Sequence, residues 1–243
     1  EQFNGLFAYA SKNRLWFTGY RNVSVYDPSL DPRYQDSRAS ADPNSWVTLT
    51  ADSQLPTGNY PSQPLFDSFG GAWLANRDGV SYVFPFTDTV TSALTATVRL
   101  YTPAEDKLIS GYHPKILLDN QENLWLASSG GVSRIERPTR IVQSLAAESL
   151  GFLPDSVQSY EVRTFLSADN ALWIVAPARN NIGNVVSRIT PSMTVYSFLT
   201  GCPALSTSTS TTICTDTRLT GVLSGAGGGN WLTMDAGIVH VNN

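Results

Sequence analysis

Five of the chain's six tryptophans stand in the same short phrase, and that repetition constrains the fold more than any other feature. The phrases are Leu15-Trp16-Phe17, Ala72-Trp73-Leu74, Leu124-Trp125-Leu126, Leu172-Trp173-Ile174 and Asn230-Trp231-Leu232. A second phrase follows each one: Val23-Ser24-Val25-Tyr26, Val80-Ser81-Tyr82-Val83, Val132-Ser133-Arg134-Ile135, Val186-Ser187-Arg188-Ile189 and Ile238-Val239-His240-Val241. The interval between the two phrases is constant except after Trp173, where it is longer. A chain of near-equivalent segments folds into near-equivalent units, each burying an apolar face that it cannot bury alone.

The units read as strands. A short apolar run precedes each tryptophan phrase, as in Leu6-Phe7-Ala8-Tyr9, Leu65-Phe66, Ile116-Leu117-Leu118, Thr164-Phe165-Leu166 and Val222-Leu223. Runs this short, bounded by Asp, Asn, Gly and Ser, are strands. Gly79, Gly131 and Gly237, with Asn22 in the first copy, stand between the second and third strands and predict tight turns at positive φ. A looser fourth strand follows in Trp46-Val47-Thr48-Leu49, Ala96-Thr97-Val98-Arg99-Leu100, Ile141-Val142-Gln143-Ser144-Leu145 and Thr194-Val195-Tyr196-Ser197-Phe198. Four antiparallel strands recurring roughly every 50–60 residues predict an all-β fold, a β-propeller of five four-stranded blades. No segment sustains the apolar period of a helical solenoid.

The expected organisation is a single domain over 1–243, with units at approximately 3–59, 60–111, 112–159, 160–217 and 218–243. The last unit stops at Val241-Asn242-Asn243, after its third strand, and so lacks its outer strand. Two arrangements follow: a five-bladed ring closed through its inner strands, which the reading favours, or part of a larger, seven-bladed propeller. All five repeated tryptophans are assigned to the core, where a large ring in each blade fills the wedge between neighbouring sheets.

Asp119-Asn120-Gln121-Glu122-Asn123-Leu124-Trp125, followed by Gly130-Gly131-Val132-Ser133-Arg134, is the copy closest to a known pattern. It resembles the repeats of the two-component-regulator propellers and of the streptogramin-lyase-like propellers, whose units run Asp-x-x-Gly-x-Leu-Trp before a Gly-led third strand. The copy from Asp169-Asn170-Ala171-Leu172-Trp173 to Val186-Ser187-Arg188-Ile189-Thr190-Pro191 is similar to the lyase-like form. The resemblance extends over all five units and implies the blade fold, usually in sevens. In its lyase-like form it further implies a histidine and a carboxylate placed with a metal on the top face.

Composition narrows the function classes. The charged fraction of 15% is low against an average of roughly 25%. With Lys+Arg 16 against Asp+Glu 20 and a pI near 5.1, no basic field exists to neutralise phosphates, which excludes nucleic acid and anionic membrane surfaces as partners. No apolar stretch approaches the roughly 18 residues of a membrane span, so direct membrane insertion is not expected. The opening Glu1-Gln2-Phe3-Asn4 lacks the layout of a signal peptide, and the chain is expected to be a mature form or a piece of a longer protein. Cys202 and Cys214 enclose a Ser/Thr-rich loop, a spacing that predicts a loop-closing disulfide and an extracellular, cell-surface or periplasmic location; the alternative is two free thiols in a reducing compartment. Asn22-Val23-Ser24 fits a glycosylation sequon, a pattern that also arises by chance.

At one fixed distance before the five tryptophans stand Phe3, Tyr60, Tyr112, Tyr160 and Arg218. In a propeller this position lies where the connection from the previous blade enters the innermost strand, beside the channel. Aromatic rings with polar tips suit stacking on a sugar or capture of a peptide side chain; packing between blades is the competing use. The connections Ala51 to Gln63 and Thr102 to Pro114, the Cys202–Cys214 loop and the extra residues around Pro177 to Gly183 are predicted to open on the same side, which is how a recognition surface is built on a rigid scaffold. The reading is therefore a binding or assembly module for a protein or glycan at a cell surface, needing no cofactor or metal. The Asp119-Asn120 turn reads as capped by its own side chains rather than as a calcium loop.

Two alternatives stand beside it. His113 and Glu161 occupy equivalent positions in consecutive units and are the candidate acid–base pair of a lyase-type enzyme, although Asn4, Pro61 and Leu219 hold that position elsewhere. The chain is otherwise a sensor or structural segment of a longer surface protein.

Overall fold

Short β-forming runs between turn-forming residues give the chain its elements, and the meander connects each strand to the next one in sequence. The structure, a computed structural model, describes residues 7–19, 22–34, 42–50, 55, 63–76, 78–109, 111, 114–137, 139, 141–150, 162–177, 184–200, 219–224, 229–234 and 237–241. These form five antiparallel sheets in two compact units, Glu1–Asp106 and Lys107–Asn243. No helix among the described residues is long and apolar enough to cross a membrane.

The first unit holds two sheets. One is β1 (Phe7–Ser11), β2 (Arg14–Thr18), β3 (Asn22–Tyr26) and β4 (Trp46–Thr50); the other is β5 (Leu65–Phe66), β6 (Ala72–Asn76), β7 (Gly79–Thr87) and β8 (Leu94–Tyr101). The second unit holds three: β9 (Lys115–Leu118) to β12 (Val142–Ala146) through β10 (Leu124–Ser128) and β11 (Gly131–Ile135); β13 (Arg163–Leu166) to β16 (Val195–Thr200) through β14 (Leu172–Pro177) and β15 (Asn184–Ile189); and β17 (Leu219–Ser224), β18 (Asn230–Met234) and β19 (Gly237–Val241). Each is a strictly sequential meander, the unit from which propeller blades are made. The last sheet has three strands among the described residues, as the sequence predicts.

Side chains alternate across each strand, so every sheet has a tryptophan face and an opposite face. The two kinds of face pack on one another by one rule within each unit. In the first, Trp16, Val23, Val25 and Leu49 on the tryptophan face of β1–β4 meet Ala72, Leu74, Val83 and Leu94 on the opposite face of β5–β8. In the second, Trp125, Ala127 and Val132 meet Leu172, Ile174, Ala176, Val185 and Ile189, and then Trp173, Val175 and Val186 meet Leu232 and Val222. The residues flanking one tryptophan thus become the floor for the tryptophan of the preceding sheet.

Trp16, Trp73, Trp125 and Trp173 are buried, as the repeat predicts, and emptying such a site costs about 3–5 kcal/mol. Trp231 departs from the prediction, with 43% of its surface exposed. Its neighbours on that face, Leu223 and Ile238, are exposed too, whereas Leu232 on the other face is fully buried. Burial of the repeated tryptophan requires a sheet in front of it, a condition that the sequence of the unit does not supply.

The turn glycines also behave differently from one another. Gly131 has φ +134, as expected of a residue without a side chain, but Gly79 has no positive φ. What the two share is crowding. A Cβ at Gly79 would lie 2.4 Å from the carbonyl oxygen of Tyr101, and one at Gly131 would lie 2.2 Å from that of Leu145. The third strand opens where the fourth strand's backbone passes closest, which leaves no room for a methyl group.

Candidate functional site

Strand direction gives the two ends of each sheet different roles. The first-to-second and third-to-fourth strand turns share one end. The second-to-third turn and the connection leaving the fourth strand share the other.

At the first end, polar side chains are spent on the turns. The Asp119 carboxylate accepts backbone N–H bonds from Gln121 and Asn123 at 2.9 Å each, from Asn123 Nδ2 at 2.9 Å and from Trp125 Nε1 at 3.3 Å. The Arg134 Nε lies 4.0 Å from it, and the guanidinium sits over the Trp125 ring and pairs with Glu136 at 2.8 Å. Asp67 repeats the pattern, accepting from Phe69 N–H at 2.9 Å, Gly71 N–H at 2.8 Å and the Tyr82 hydroxyl at 2.6 Å. In the next copy Ser167 opens the turn and Asp169 bonds both the Ser167 hydroxyl and Arg188. Burial pushes the Asp169 carboxyl upward, but the Ser167 hydroxyl and the Arg188 guanidinium outweigh it and hold the group below its ordinary range. Asp of the repeated motif and Tyr or Arg of the third strand therefore form a latch across the sheet.

A longer segment departs from this end of β1–β4, between β3 and β4. It includes short 3-10 turns at Pro28–Leu30, Pro32–Tyr34 and Pro43–Ser45, capped by Asp27 and Asp42. Asp31, held chiefly by the Arg33 guanidinium, titrates at about 2. For Asp27 burial acts upward, and bonds from Ser29 and Arg14 bring the net shift below the ordinary value. This segment adds elaboration at the end opposite to the one on which the long connections are predicted to concentrate.

At the second end, the connections run through 51–64, 102–114, 147–162 and 201–218. Described residues within three of them are pinned to the sheets. Leu55 and Leu108 are buried, and Ala147, Leu150 and Val162 belong to the core between β9–β12 and β13–β16. The third-strand serines provide the polar anchors. Ser133 Oγ accepts the Ile109 N–H at 2.8 Å and pairs with Ser144 Oγ at 2.7 Å, and Ser144 Oγ donates to the Lys107 carbonyl at 2.9 Å. Ser187 Oγ pairs with Ser197 Oγ at 2.9 Å and donates to the Leu150 carbonyl at 3.2 Å. In these two copies the serine of the Val-Ser phrase ties the incoming connection to the third strand, whereas Ser24 in the first copy pairs with Thr48. The phrase's recurrence was visible in the sequence, but a hydroxyl's partner is not. The last copy carries Val239 there instead.

The residues predicted to form the aromatic mouth, Phe3, Tyr60, Tyr112, Tyr160 and Arg218, lie outside the described residues, as do His113, Glu161, Cys202 and Cys214. Gly111 and Val162, which border two of these stretches, are described. Gly111, directly before Tyr112 and His113, touches the turn between β10 and β11 so closely that a Cβ would fall 2.6 Å from Ser128 Oγ and 2.7 Å from the Gly130 nitrogen. Val162, directly after Tyr160 and Glu161, is buried in the core. Among the described residues no cluster of three or more His, Cys, Asp or Glu side chains could hold a metal ion.

No protein-family model matches the chain, and no curated protein does. Among solved structures it is similar to the extracellular domain of BT4673 from B. thetaiotaomicron, assigned in one structure to a one-component system and in another to a hybrid two-component system. Both give a TM-score of 0.52 at 16% identity and cover 98% and 97% of this chain. This chain spans 27% of the length of each. At that identity the likeness is one of fold, and the fold is all-β and propeller-type, as the repeats predict.

Proposed function

We propose that the chain is an extracytoplasmic recognition module, a sensor or binding domain that contacts a protein or glycan through the connection-bearing ends of its sheets. One observation carries this reading. The connections differ in length and sequence, yet three of the four are fixed at described positions by buried Leu55, Leu108, Leu150 and Val162 and two of these by the serine anchors as well, an arrangement that holds variable loops on a rigid support. Tyr60, Tyr112 and Tyr160 fall in three of those connections, and Cys202 and Cys214 in the fourth. The likeness to extracellular domains of regulatory systems supports the same location and role. On this reading the tyrosines supply stacking surface with hydroxyl tips, and the disulfide shortens the ensemble of the longest loop.

The test is a glycan-array and pull-down screen on the whole chain, repeated with Tyr60, Tyr112 and Tyr160 changed together to Ala. Loss of the recovered ligand, with an unchanged melting temperature, supports the reading. Retention of binding removes the aromatic mouth as the site. Turnover of a candidate substrate that disappears on His113→Ala would instead favour the lyase-type alternative.

A further inference from the structure

We draw no further inference here: the strongest candidate, the exposed run Thr89-Val90-Thr91-Ser92 at the tip of the β7–β8 hairpin, is a surface patch for which nothing in the structure shows what covers or modifies it.

Discussion

Replacing Asp119 by Ala tests the claim that the motif aspartate is a structural latch rather than a ligand-binding group. The carboxylate is buried and serves two backbone N–H groups, an Asn side chain and an indole. Its removal strands two fully buried donors, the Asn123 N–H and Trp125 Nε1, at about 1–3 kcal/mol each. The Gln121 N–H is less enclosed and water can reach it. Arg134 keeps Glu136 at 2.8 Å, so the buried guanidinium is weakened rather than orphaned, adding about 1 kcal/mol. The expected loss is about 3–7 kcal/mol, a fall of roughly 10–20 °C in the melting temperature for a chain of this size. Calorimetry reads the total, and hydrogen exchange should place the loss in β9–β12, because repeat units are stabilised by themselves and their neighbours. Asp119→Asn keeps an acceptor for the backbone donors but turns an amide toward Asn123, Trp125 and Arg134, and should cost about half as much. A double cycle with Arg134→Met should show coupling of about 1 kcal/mol. A loss below about 1 kcal/mol for Asp119→Ala, or an Asn variant as stable as the wild type, would refute the latch.

Gly131→Ala should cost about 3 kcal/mol or more by urea unfolding, because the new methyl meets the Leu145 carbonyl at a backbone angle that only glycine adopts freely; a neutral result would show that the fourth strand yields easily. Ser187→Ala should cost about 1–2 kcal/mol, since it frees a buried contact to the Leu150 carbonyl, whereas Ser24→Ala, in an exposed pair with Thr48, should cost less than about 0.5 kcal/mol. Equal costs would deny the anchoring role. Asp27, Asp31, Asp88 and Asp169 all titrate below the ordinary 3.8 in the folded chain, Asp31 at about 2. The unfolded chain therefore takes up protons first as pH falls, and stability that is fully present above about pH 5 is lost between there and about pH 2. A urea midpoint that stays constant from about pH 5 to 2 would contradict this.

The repeat determined the strands and their order. Leu65-Phe66, Ile116-Leu117-Leu118 and Thr164-Phe165-Leu166 were readable as first strands because a short apolar run and its bounding turn residues act within a few positions of each other. What the sequence left open are the relations that need a second segment at a distance. The reason Gly79 must lack a side chain lies in the carbonyl of Tyr101, and the reason for a serine in the third strand lies in a connection that arrives from the preceding sheet. Trp231 shows the limit most clearly, since its phrase is that of the buried tryptophans while its exposure depends on what stands opposite. Periodicity records which face of a strand is apolar; only tertiary structure decides whether anything covers it, because burial is a property of two surfaces and the chain encodes each of them separately.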